Sequence, residues 1–121
     1  MDNPLFFFDT YAFMEVINGN PNYEKYKEVE VITSIFNLAE LNYALKKEKL
    51  KEEADKITER YNPLLVDVAI KDIKDAMDLK IKNKQLSIPD VIGYILARKF
   101  NAKFLTGDSA FQNMENVEFV K

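Results

Sequence analysis

Neither cysteine nor histidine occurs among the 121 residues of this chain. Their absence excludes disulfides, a thiolate nucleophile, an imidazole general base and a zinc site of the ordinary Cys/His type. Any chemistry must therefore run on carboxylates, hydroxyls, amides, lysine, arginine or tyrosine. Long hydrophobic runs are missing as well. The longest wholly apolar stretch, Leu5-Phe6-Phe7-Phe8, is far short of the ~20 residues a membrane helix needs. Met1-Asp2-Asn3-Pro4 lacks the basic start and apolar stretch of a secretory leader, so the expectation is a cytoplasmic protein with no membrane association. There is no positive surplus either. The formal charge of −3 argues against tight, sequence-independent nucleic-acid binding through a basic surface.

What is present suits one compact domain over residues 1–121. Hydrophobic residues make up 47% of the chain and charged residues 31%, which is too apolar for disorder. Leu5-Phe6-Phe7-Phe8 reads as a strand buried on both faces of a parallel sheet. Residues 10–18 read as a helix ended by the turn Asn18-Gly19-Asn20-Pro21-Asn22. Val29 to Ser34 is β-branched and reads as a second strand, followed by a helix from Phe36 to about Lys46. From Lys46 to Arg60 a narrow stripe of Leu50, Ala54, Ile57 and Tyr61 marks a solvated amphipathic helix. Leu64-Leu65-Val66 reads as a third strand, and Ile70, Ile73, Met77 and Ile81 mark another helix. Pro89 opens the most apolar helix, to about Phe100. Residues 103–106 and 117–120 read as strands four and five. Strands alternating with helices over short connections give an α/β fold with a parallel sheet covered on both faces. Ligands bind at the carboxyl edge of such sheets.

The acids divide into two groups. Most sit among lysines, as in Lys51-Glu52-Glu53-Ala54-Asp55-Lys56, and read as solvated helix faces. Four do not. Asp9 follows the most apolar strand, and Asp108 follows strand four after Thr106-Gly107. Glu40 lies in Asn37-Leu38-Ala39-Glu40-Leu41, with no basic residue until Lys46, and Asp90 stands between Pro89 and the most buried helix. Taken singly, Asp9, Asp90 and Asp108 also read as helix caps or turn residues, and Glu40 as a rim residue. Asp67 follows a short strand too and reads as an ordinary cap. The stronger reading is convergence, since these elements meet only at one sheet edge. Unpaired carboxylates that share a crevice need a compensating cation. Oxygen-only ligation suits Mg²⁺ or Mn²⁺.

Phe8-Asp9-Thr10, Asn37-Leu38-Ala39-Glu40-Leu41, Ile88-Pro89-Asp90-Val91-Ile92 and Leu105-Thr106-Gly107-Asp108-Ser109-Ala110-Phe111 resemble, in order and spacing, the acidic motifs of PIN-domain ribonucleases. Within that family the chain is most similar to the small VapC-like toxins of type II toxin–antitoxin pairs. The resemblance implies a three-layer α/β/α sandwich with a five-stranded parallel sheet and a metal-dependent endoribonuclease, a hydrolase of RNA phosphodiesters. It further implies a homodimer and an antitoxin protein as partner. Asp9, Glu40, Asp90 and Asp108 match the catalytic and metal-holding acids, and Thr10 and Thr106 match the hydroxyl neighbours that support them. Some members carry a further acid where this chain has Ala110 and Phe111, so the resemblance implies one or two ions. Gly93 is unexpected in a buried helix, where it costs roughly 1 kcal/mol against Ala; close approach of another helix would account for it.

The chemistry expected is attack of a metal-activated water on RNA, with no histidine required. Apart from the four acids the chain is slightly positive. Lys47 lies on the Glu40 helix and reads as a solvated charge or a phosphate contact, while Tyr43 and Tyr11 read as core or dimer packing or as residues that stack on an unpaired base. Two alternatives remain at this level: a non-catalytic PIN-like domain that binds a partner or RNA, and an Asp-based phosphoryl-transfer protein. A dinucleotide fold is excluded, because strand one runs into Asp9-Thr10-Tyr11 and not into a glycine-rich loop.

Overall fold

The computed structural model describes residues 3–121; Met1 and Asp2, where the leader expectation begins, lie outside them. The first strand, β1 (Leu5–Phe8), runs into helix α1 (Thr10–Ile17), and a 3₁₀ turn over Pro21–Lys27 leads to β2 (Glu30–Ile32). Helices α2 (Ile35–Glu48) and α3 (Lys51–Arg60) follow, then a 3₁₀ turn over Asn62–Leu64, α4 (Ile70–Lys82) and α5 (Ile88–Lys99). The chain ends with β3 (Lys103–Thr106), a 3₁₀ turn over Ser109–Phe111 and β4 (Val117–Phe119). All strand pairs are parallel, in the order β2-β1-β3-β4.

The sheet has four strands, not the five expected. The missing one is Leu64-Leu65-Val66. A 3₁₀ turn with Pro63 at its start takes up Asn62–Leu64, and contact of the segment with the sheet shrinks to one parallel bridge between Thr33 and the extended Leu65. Two backbone bonds hold that bridge, from Thr33 N–H to Leu64 and from Val66 N–H to Thr33, both 3.0 Å. Two further readings change. The charged stretch after Lys46 is not one helix, because the chain breaks at Lys49 and Leu50 and α3 begins at Lys51. Asp67 does not cap α4: the N-cap is Ala69, whose N–H is accepted by Asp72 at 2.8 Å.

Strand β1 is central, and its alternation builds two cores. Phe6 and Phe8 face α1, α2 and α3, packing with Phe13, Leu41, Leu45 and Ile57. Phe7 faces the opposite side with Phe104, Phe111, Ile92 and Leu96. The rings of Phe7 and Phe104 stack at 5.8 Å on neighbouring strands. Burying strand side chains on both faces is what a parallel sheet requires, and it explains why β1 reads as an unbroken apolar run. The C-terminal strand is tied down by tyrosines of the 3₁₀ segment: Tyr23 donates to the Val120 carbonyl at 2.6 Å, and Tyr26 donates to Glu118.

Gly93 receives an explanation different from the expected one. A Cβ there would lie 2.7 Å from the Phe7 ring and 3.2 Å from Phe104, so glycine is needed where α5 crosses the sheet rather than where it meets a helix. Both rings are fully buried and have nowhere to move. We therefore expect Gly93→Ala to lose more by overpacking, about 1–3 kcal/mol, than the ~1 kcal/mol it gains in helix propensity. Urea denaturation would read this as a net destabilisation. An unchanged or raised midpoint would show that the rings give way.

Candidate active site

Three of the four acids are placed by local backbone chemistry. Asp9 ends β1 and is the N-cap of α1, its Oδ1 accepting the Ala12 N–H at 2.9 Å. Asp108 follows β3 and accepts the Ala110 N–H at 3.0 Å. Asp90 sits in the first turn of α5 in a reciprocal capping box. Ser87 Oγ accepts the Asp90 N–H at 3.1 Å, and Asp90 Oδ2 accepts the Ser87 N–H at 2.9 Å. Glu40 differs, because it lies within α2 and has no backbone donor. Its carboxylate is held by the Thr10 hydroxyl at 2.6 Å and the Ser87 hydroxyl at 3.4 Å.

Hydroxyls join these acids into one network. Thr106 hydrogen-bonds the Asp9 carboxyl, and its Oγ1 also accepts the Asp108 N–H at 3.0 Å. Thr10 bridges α1 to Glu40, and Ser87 bridges Glu40 to Asp90. The capping reading of Asp9, Asp90 and Asp108 therefore holds, and it is compatible with a shared site. Among the described residues, none of the four acids has a lysine or arginine within ion-pair distance. The lysines that do pair take Glu24, Asp55, Glu53, Asp75 and Asp72 instead.

The electrostatic consequence falls on Asp9, which is 2% exposed. Burial pushes its carboxyl up to about 8, aided by the charges of Asp90 and Asp108 and opposed by the Thr106 hydroxyl and the Ala12 N–H. Asp90 is also raised, first by burial, then by Glu40 and Asp108, against the hydrogen bonds from Ser87. The charges of Asp90 and Asp108 thus act on Asp9, and those of Glu40 and Asp108 on Asp90.

The donor chemistry fits a hard divalent cation: carboxylates and hydroxyls only, with no competing cationic side chain. As placed, no three acidic side chains among the described residues form a group that would enclose an ion unaided. Mg²⁺ is usually held by one or two carboxylates with retained water, so pairs of these acids suffice for the fit.

The aromatic and basic candidates separate. Tyr11 stands at the site, with its ring against Gly107: a Cβ on that glycine would lie 2.3 Å from the ring. Burial raises its phenol, followed by the charges of Glu15, Asp9 and Asp108. Tyr43 and Lys47 point outward on α2 and contact each other, with the ammonium 4.7 Å from the ring centre and Tyr43 67% exposed. Neither joins the carboxylate network. Sequence reasoning missed Ser87, Asn37 and Ser34. Asn37 is fully buried, accepting from the Ser34 hydroxyl at 2.6 Å and donating to the Pro89 carbonyl at 3.4 Å. The signal for Ser87 was present as Ser-Ile-Pro-Asp, a cap followed three residues later by an acid.

A parallel α/β domain with four unpaired acids on its carboxyl side is the class that fold and site define. The chain belongs to the PIN domain family, whose model matches residues 6–117. None of the curated proteins compared with the chain matches it significantly. Among solved structures, a toxin–antitoxin complex from Klebsiella pneumoniae is similar, at 17% identity and a TM-score of 0.72, covering 93% of this chain and 94% of that one. VapBC2 from Rickettsia felis, bound to a DNA fragment from its promoter, shares 20% identity, with a TM-score of 0.69 and coverage of 96% and 97%. VapBC-1 from nontypeable Haemophilus influenzae shares 14% identity with a TM-score of 0.69, covering 97% of both chains. At these identities the likeness is one of fold. No helix among the described residues is long and apolar enough to cross a membrane.

The raised Asp9 carboxyl makes stability pH-dependent. In the absence of a cation the folded protein holds a proton on Asp9 that the unfolded chain releases near its ordinary value of 3.8. Stability from this group is therefore complete at acid pH and falls as pH rises from about 4 to about 8. In EDTA the melting temperature should drop by several degrees between pH 5 and 8.5, and Asp9→Asn should remove most of that slope. A wild-type slope that survives in Asp9→Asn would refute the assignment.

Proposed function

We propose that this protein is a metal-dependent endoribonuclease, acting as the toxin of a toxin–antitoxin pair. The observation that carries the reading is the set of four acids gathered from four elements without a cationic side chain among them. Membership of the PIN family supports it. So does the likeness in fold to a toxin–antitoxin complex and to VapBC2 and VapBC-1. On this reading the partners are an RNA substrate, an antitoxin protein and a second copy of the chain. Exposed Ile35, Ile70 and Ile81 provide apolar surface for protein contacts.

The residues divide the work. Asp9, Glu40, Asp90 and Asp108 would hold one or two Mg²⁺ or Mn²⁺ ions. Bound there, the metal supplies an activated water and stabilises charge on the phosphodiester oxygens. Thr106 orients Asp9, and Thr10 orients Glu40. Tyr11, fixed against Gly107 at the edge of the cluster, presents an aromatic surface and a phenol that stays protonated. Tyr43 and Lys47, one and two turns beyond Glu40 on α2, would meet RNA farther from the cleaved bond.

Single-stranded RNA incubated with the protein and Mg²⁺ or Mn²⁺ should be cut internally. Asp9→Asn and Asp90→Asn should each lower cleavage by at least about 10²-fold, on the scale expected when transition-state charge stabilisation is lost, while circular dichroism stays native. Full activity in either variant would sink the site. RNA or protein binding without cleavage, unchanged by both substitutions, would favour a non-catalytic binding domain instead.

A further inference from the structure

Glu40 is the one acid of the four that no backbone group holds. Asp9 and Asp108 are each fixed by an N–H of the helical turn they precede, and Asp90, in the first turn of α5, by the N–H of the cap Ser87, at 2.9 to 3.0 Å. The position of Glu40 depends wholly on side chains from other elements. Thr10 supplies one, at 2.6 Å. The other is Ser87, whose single hydroxyl accepts the Asp90 N–H at 3.1 Å and donates to Glu40 Oε2 at 3.4 Å, while its own N–H holds Asp90 Oδ2 at 2.9 Å. One residue thus touches two acids on two different helices.

A second bond makes the same connection. Asn37 lies three residues before Glu40, hence on the same face of α2. Its buried amide donates to the Pro89 carbonyl in the first turn of α5, at 3.4 Å. Two side-chain bonds, three residues apart on α2, therefore reach the same turn of α5. Together they latch the start of α2 to the start of α5.

We infer that Ser87 is a positioning residue, which through this latch sets the Glu40 carboxylate at a fixed spacing from Asp90. The inference rests on the reading of these acids as a cation site. Repulsion between two carboxylates would drive the flexible Glu40 side chain away from Asp90, because Asp90 is anchored and Glu40 is not. The Ser87 hydroxyl opposes that movement. A serine acting only as a helix cap would bond the Asp90 N–H and nothing on α2.

The test is Mn²⁺ binding by titration calorimetry with the full chain, alongside thermal melts. Ser87→Ala should weaken Mn²⁺ binding about tenfold, as loss of a partner that orients a ligand does, and Ser87→Thr should restore it. In a Glu40→Gln background, adding Ser87→Ala should change the remaining affinity by less than about twofold, because the serine acts through the carboxylate that has been removed. Equal affinity for wild type and Ser87→Ala, with only a lowered melting temperature, would reduce Ser87 to a cap and overturn the inference. The same losses with and without Glu40 would also overturn it. Wild-type protein that binds no Mn²⁺ would overturn the metal reading itself, a result distinct from either of the others.

Discussion

A carboxylate buried without a cation is the constraint around which this molecule is arranged. Asp9 ends the central strand of the sheet, 2% exposed, with Asp90 and Asp108 close enough to raise it further. Burying such a group is costly unless hydrogen bonds or counter-charge compensate. Here the compensation is the Ala12 N–H and the Thr106 hydroxyl, and both exist only when α1 begins directly after β1 and β3 lies directly beside it. The parallel pairing of β1 with β3 is thus a condition for the site as well as for the core. Phe7 over Phe104 holds the two strands from below, while Thr106 and Asp9 meet at their ends.

Three of the acids serve two purposes with one side chain. A carboxylate at a helix start meets unpaired N–H groups and the positive end of the dipole, which fixes its direction at little cost. Asp9, Asp90 and Asp108 each use an oxygen in this way. Glu40 lies in the second turn of α2, where no such N–H is free, so its placement is left to Thr10 and Ser87. The helix N-termini also place positive partial charge near the cluster. This lowers the repulsion that three or four carboxylates would otherwise generate.

How legible this was in the sequence depends on what kind of physics placed each residue. Strand β1 was readable because both its faces are buried, which leaves an unbroken apolar run. Helix α5 was readable for the same reason, with Pro89 marking its start. The four acids stood out because they lack lysine neighbours. The third of the five expected strands was misread: Leu64-Leu65-Val66 has strand composition, yet whether it pairs over several residues or one is decided by the geometry of Pro63 against Thr33, a tertiary matter. Gly93 showed that something approached α5 closely but not what, since the Phe7 ring comes from 86 positions earlier in the chain. Ser87 carried a capping signal in full, and its second bond to Glu40 stayed hidden because it joins residues 47 positions apart. Asp67 was misread as a cap for a related reason: Asp72, inside the helix, accepts the Ala69 N–H instead.

The charge distribution also constrains the order in which ligands reach the cleft. Surface lysines pair with other surface acids and leave the four site carboxylates to one another. With Asp9 raised to about 8, a proton occupies part of the cluster near neutral pH, and a cation that takes its place must release that proton. A phosphodiester brings a further negative charge. Approaching the cluster without a cation, it would meet repulsion from Asp90, Asp108 and Glu40. A cation reverses the sign of the encounter, because it is attracted to the carboxylates and itself attracts the phosphate. On the reading of this site as a nuclease centre, metal must arrive before the substrate or together with it. The acidity that first argued against nucleic acid as a partner then becomes the feature that makes the interaction depend on the metal.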